Sequence, residues 1–200
     1  MSELAAFVSL GFRHILDPNG ADHMVFLLAL AAIYRPSDWR QAVWVVTAFT
    51  VGHSITLALA VTDTLLLPTA WIEFLIPVTI VATGLENLLI RDRVRSARRW
   101  RSRPLFSGVF GLVHGAGFAN YLRSLFADRV AVPLFGFNLG IELGQVLVLL
   151  VATVILVAVD HAVKRLSWTT RLSPVRLRVL GVSVVVILVA SRWAVERVPW

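Results

Sequence analysis

Residues 133–159 read PLFGFNLGIELGQVLVLLVATVILVAV, and a single charged side chain, Glu142, interrupts them. A helix needs about 20 mostly apolar residues to cross the hydrocarbon of a bilayer. This stretch is long enough and is apolar on every face, as a membrane span is. Six more apolar segments flank it, at about 4–16, 22–34, 42–61, 70–90, 104–126 and 177–195. The expected fold is all-α: a polytopic membrane bundle of about seven helices, one transmembrane domain over residues 1–200. The first two segments are short and are parted by the breaker sequence Asp17-Pro18-Asn19-Gly20, so a tight hairpin is expected there. Its connection is tolerable at membrane depth only where protein or a wet cavity shields the backbone.

Composition agrees. The chain is 58% hydrophobic and 16% charged, with mean hydropathy +0.78, against roughly 25% charged residues in a soluble domain. The apolar excess is too large for a core and must face lipid. There is no cysteine, which excludes disulfides and thiolate metal sites and leaves imidazole, carboxylate and amide ligands. The net charge of +7 comes from basic residues crowded between the apolar blocks. That pattern marks cytoplasmic loops rather than a nucleic-acid surface. Met1-Ser2-Glu3 lacks the basic region of a signal peptide, so the first apolar stretch is expected to be retained.

Arginine sets the expected orientation. Residues 91–103 hold seven arginines against one aspartate, which places this loop in the cytoplasm of a bacterial inner-membrane, multi-pass protein. The stretches around Arg35 and Arg40 and over 164–178 are also basic, whereas 61–70 has no basic residue. Alternation then puts the N-terminus inside and the Asp17–Gly20 turn outside. Pro68, Pro104, Pro133 and Pro174 fall where helices should begin, and Pro77 should kink the fourth segment. Seven tryptophans, several near segment ends, suit anchoring at the lipid interface.

Charged side chains at the bilayer centre cost about 2.5–3.5 kcal/mol each on insertion scales, so polar residues in these segments need a reason. They include His14, Asp22, His23, His53, Glu73, Glu86, His114, Asn138, Glu142 and Gln145, whereas His161 falls in an expected cytoplasmic loop. At about 1.5 Å per residue, His53, His114 and Glu142 should lie near the midplane, and His14, Asp22 and His23 together near the outer face. Asn138, Glu142 and Gln145 share one helix face through i, i+4, i+7 spacing. The expectation is an outer vestibule leading to a central site, with Glu86 nearer the cytoplasm and Asp17 beside the entrance. Imidazole and carboxylate are ligands for nickel, cobalt, zinc and related divalent ions, among which they do not choose.

Blander roles compete. A lone membrane histidine is more often a hydrogen-bond partner than a ligand. Asn138 and Gln145 suit interhelical glue, Glu73 suits the interface, and Glu86 suits pairing with Arg91 or Arg93. Four histidines with Asp22 and Glu142 at matched depths outweigh these readings. Gly52, Gly111, Gly115, Gly117, Gly140 and Gly144 surround the group and allow close helix approach.

Taken together, Gly11-Phe-Arg-His-Ile-Leu16, Asp22-His-Met-Val-Phe26, Thr47-Ala-Phe-Thr50, Gly52-His-Ser54, Glu86-Asn87, Phe110-Gly-Leu-Val-His-Gly-Ala-Gly-Phe-Ala119 and Phe137-Asn-Leu-Gly-Ile-Glu-Leu-Gly-Gln145 resemble the HupE/UreJ family over about residues 8–195. The family is associated with hydrogenase and urease maturation and regarded as nickel or cobalt permeases. The resemblance implies uptake of a divalent transition metal, with His14, Asp22 and His23 mapping to the family's first motif and His53, His114 and Glu142 to later ones. The His14-to-Asp22 spacing is longer than expected of the family.

The reading is thus a divalent-metal permease and not an enzyme. Nickel, cobalt or zinc would be the substrate, and no organic cofactor is expected. Ligation needs neutral imidazole, so transport should fall as histidines protonate, at about pH 6. No G-x-x-x-x-G-K-[ST] motif is present, which leaves membrane potential as the drive. Expected partners are membrane lipid and either subunits of a membrane complex or further copies of the chain, with no nucleic acid. The rival reading is a non-transporting accessory or structural subunit of a larger membrane complex. A bis-histidine haem between His53 and His114 is conceivable and would show a Soret band. Gly52-His53-Ser54 does not make a protease, because adjacent helical residues point about 100° apart.

Overall fold

In the computed structural model, which describes residues 2–65, 68–89, 97–123, 130–165 and 172–200, the described chain forms seven α-helices and no strand. They are α1 (Glu3–Leu16), α2 (Asp22–Ala31), α3 (Trp39–Val61), α4 (Thr69–Leu89), α5 (Ala97–Arg123), α6 (Ala131–Arg165) and α7 (Pro174–Glu196). Short 3-10 turns at Pro18–Gly20 and Pro36–Asp38 join α1 to α2 and α2 to α3. The helices that carry α3, α4, α6 and α7 are long and apolar enough to cross a membrane. Their outward leucines, valines and isoleucines, such as Leu150, Val154, Ile155, Val185 and Leu188, are exposed, as lipid-facing positions must be. This is a membrane protein.

Glycine decides which helices touch. A Cβ on Gly52 would collide with the Gly108 carbonyl, one on Gly111 with the Phe49 carbonyl, and one on Gly115 with the His53 carbonyl. α3 and α5 therefore lie backbone against backbone and run in the same sense, a contact open only to small residues. α1 meets α6 in the same way. Gly136 faces Leu4 and Phe7, Gly140 faces Val8 and Phe12, and Gly144 faces Phe12 and Ile15, so these two helices are also parallel.

This corrects the expected path of the first two segments. At 1.5 Å per residue α1 and α2 are about 21 and 15 Å long, each short of a hydrocarbon core of about 30 Å. α2 starts beside Arg197, just past the end of α7, and its exit leads to Arg178, near the start of α7. It thus runs opposite to α7. Arg178 near the start of α7 pairs with Asp160 near the end of α6, so α6 also runs opposite to α7. α1 and α2 therefore descend in turn along the direction of α6, as one broken crossing rather than a hairpin. The N-terminus lies at the end where α6 begins, opposite the end where α3, α5 and α7 begin. Counting two complete crossings in residues 4–34 had put it at the other end.

Arg178 ties the basic end together. Its guanidinium donates to Ala32 O and Tyr34 O at 3.0 Å each and to Asp160 Oδ2 at 2.8 Å. Two further differences are local. α5 begins at Ala97, seven residues before Pro104, because the arginine-rich stretch is itself helical from 97 onward; residues 91–96 of the expected cytoplasmic loop lie outside the described residues. α6 extends to Arg165, which carries His161 on a helix instead of a loop. Pro77 lies inside α4, as expected.

Candidate metal centre

Four helices each deliver one imidazole: His14 from the last turn of α1, His23 from the first of α2, His53 from mid-α3 and His114 from α5. Because the break between α1 and α2 lies at the depth of His53, all four meet at one level. Ring centroids are 4.7 Å apart for His14–His23, 6.2 Å for His14–His53, 6.1 Å for His23–His53 and 5.2 Å for His23–His114. One ligand nitrogen from each of His14, His23 and His53 lies within 4.8 Å of the others. Nitrogens sharing a zinc-like ion at 2.0–2.1 Å stand no more than about 4.2 Å apart. Closure by about 0.6 Å would complete the set, which rotamer adjustments supply.

The interior around them is apolar and aromatic. Phe118 lies 4.0 Å from His14 and stacks on Phe137, Phe49 lies 5.1 Å from His114, and Phe26 lies 5.7 Å from His114. His53 and His114 are fully buried. In that setting His14 Nε2, His23 Nε2, both ring nitrogens of His53 and His114 Nδ1 have no hydrogen-bond partner among the described residues. Each such group costs about 1–3 kcal/mol when left unsatisfied. Each neutral ring offers one lone-pair nitrogen, so a cation among the rings would satisfy one nitrogen of each.

Thr79 fixes the state of His114. Its Oγ1 donates to Ile76 O at 2.7 Å and lies 3.0 Å from His114 Nε2. When the one hydroxyl proton goes to the carbonyl, the shorter of the two contacts, the imidazole donates from Nε2 to Oγ1. Nδ1 then carries the bare lone pair. This is the second-sphere arrangement that prepares a histidine for a metal.

The expected two tiers are therefore one. The two carboxylates do not join the three imidazoles. Asp22, at the start of α2, accepts from Arg197 Nη1 at 3.2 and 3.3 Å. Glu142 accepts from Thr47 Oγ1 at 2.5 Å, and one turn on Gln145 Oε1 accepts from Thr50 Oγ1 at 2.8 Å. Glu142 and Gln145 thus face the threonines of α3, and Glu142 lies outside the group that His14, His23 and His53 form. Asn138 Oδ1 is buried with no partner among the described residues. Asp17 caps α1 at its C-terminal end and is exposed. Glu86 lies 3.4 Å from Arg103 Nη2, and its expected partners Arg91 and Arg93 lie outside the described residues. Arg103, Arg197, Thr47, Thr50 and Thr79 carry roles that sequence alone did not assign. Their signals are weak, since a helical threonine defaults to its own carbonyl and Arg197 follows the last apolar segment.

Gly52, His53, Gly111, His114 and Gly115 form one motif in space, glycines joining two helices and histidines facing the gap. The profile of the HupE / UreJ protein family matches residues 1–197. The chain belongs to the HupE/UreJ family. No curated protein and no solved structure matches it. For a HupE/UreJ protein the frame is nickel and cobalt handling, in transport or as an accessory, and a histidine cluster stands at the middle of this one.

Proposed function

We propose that this HupE/UreJ protein is a permease of the bacterial inner membrane for nickel- or cobalt-type divalent ions, with its arginine-rich end in the cytoplasm. One observation carries the reading: His14, His23 and His53 converge within 4.8 Å, beside His114, with unpartnered nitrogens in an apolar interior. An all-imidazole set favours nickel, cobalt, zinc and copper over magnesium or calcium, which prefer oxygen. The ion enters from the end that holds Asp22 and is stripped of water at the imidazoles. It leaves past Phe26 and Phe110, where a small void is lined by Thr83, Ser107, Glu86 and Arg103. An inside-negative potential favours entry of a divalent ion by about 4.6 kcal/mol per 100 mV, twice the single-charge figure.

The test is uptake of radiolabelled nickel, cobalt and zinc into proteoliposomes, with magnesium as control. Saturable transition-metal uptake is expected, lost in His23→Ala and in His53→Ala. Uptake that survives both substitutions overturns the reading. Tight binding of nickel by the purified protein without flux, together with a copurifying membrane partner, would replace it with the accessory role.

A further inference from the structure

We propose that Arg197 is an internal cation that competes with the incoming metal for Asp22 and so sets the affinity of the entrance. The proposal rests on the permease reading. Asp22 directly precedes His23, one of the converging imidazoles, and is mostly buried at the start of α2. Its two carboxylate oxygens both face Nη1 of Arg197, at 3.2 and 3.3 Å. An acidic residue in a helix's first turn is already favoured by the helix dipole, so the carboxylate does not need an arginine to be tolerated there. Arg197 arrives from the far end of the chain, in the turn after α7, and its guanidinium also lies 5.6 Å from the Trp193 ring.

The arrangement gives Asp22 two alternative partners. With Arg197 in place, the carboxylate next to the imidazoles is neutralised, and a hydrated divalent ion meets a positive charge at the mouth. When an ion approaches, the guanidinium gives up Asp22 and is kept by Trp193, over whose ring face it already lies. Asp22 is then released to take the ion and hand it to His23. A monovalent ion competes poorly with a guanidinium for a carboxylate whose two oxygens both face it, so the pair also favours divalent entry.

The experiment measures nickel binding and nickel uptake for the full chain, for Arg197→Gln, for Asp22→Asn and for the double variant, with thermal unfolding of each to report folding. A partly exposed ion pair is modest in strength, so Arg197→Gln should lower the half-saturating nickel concentration by about two- to five-fold. Asp22→Asn should raise it, and in the Asp22→Asn background Arg197→Gln should change nothing further. Arg197→Lys, which keeps the charge, should stay near wild type. The proposal falls if Arg197→Gln binds nickel as wild type does, binds it more weakly, or acts equally with Asp22 removed. A wild-type protein that binds no nickel, or a His53→Ala variant that binds it unchanged, removes the permease reading instead and this proposal with it.

Discussion

At the scale of the residue, the histidines were legible because burial is expensive. Imidazole in a helix such as Trp39–Val61 is a cost that a sequence cannot hide, and four of them stood out before any contact was known. Their partners were not legible. A membrane carboxylate announces that it has a partner without saying which, and Glu142 proved to accept from Thr47 on α3. Glu142→Gln should therefore leave nickel affinity within about three-fold of wild type, as measured by equilibrium dialysis, whereas metal ligands and their orienting groups typically cost 10–100-fold. Thr79 was equally silent, since its hydroxyl reads as apolar filler until His114 is seen 3.0 Å away. Thr79→Val frees the His114 tautomer and should weaken nickel binding by about ten-fold with little change in Tm. An unchanged affinity would mean that His114 takes no part in holding the ion.

Elements were easier to find than to bound. Residues 133–159 announce α6 by their apolar length, but its extension to Arg165 did not show, because Asp160, Lys164 and Arg165 look like a loop until Arg178 is seen to pair with Asp160. The start of α5 was hidden for the same reason: arginines report which side of a membrane they prefer, not whether the backbone is helical. Small residues gave the clearest packing signal, and α3 against α5 tests it. Gly111→Ala drives a methyl into the Phe49 carbonyl and the His53 amide, backbone atoms that cannot rotate away. Overpacking of this kind costs about 1–3 kcal/mol, which for a chain of this size lowers Tm by about 2–12 °C. The same shift moves His53 from His114, so nickel affinity should fall with stability; a variant with wild-type Tm would contradict the contact.

For the whole molecule, composition alone established membrane insertion, while the direction of the chain depended on whether residues 3–31 cross once or twice. α1 and α2 are individually too short, and α1 is parallel to α6, so both termini lie at one end. The absence of cysteine makes the test clean. Single cysteines at Ser2, Ser37 and Asp63 should be labelled by an impermeant maleimide in sealed, uniformly oriented vesicles as two groups. Ser2→Cys and Asp63→Cys should react from one side and Ser37→Cys from the other. Labelling of Ser2→Cys with Ser37→Cys would restore the hairpin.

The glycine contacts between α3 and α5 and the break between α1 and α2 give the ion cradle two unlike jaws. His53 and His114 ride on backbones packed against each other at Gly111 and Gly115, so on the permease reading their spacing is the stiff one and would grade ions by radius. His14 and His23 flank a joint, and a small swing there can tighten or loosen the grip without disturbing the rest of the bundle. On that reading discrimination would belong to the rigid side and release to the hinged one, and each could be tuned by mutation independently of the other.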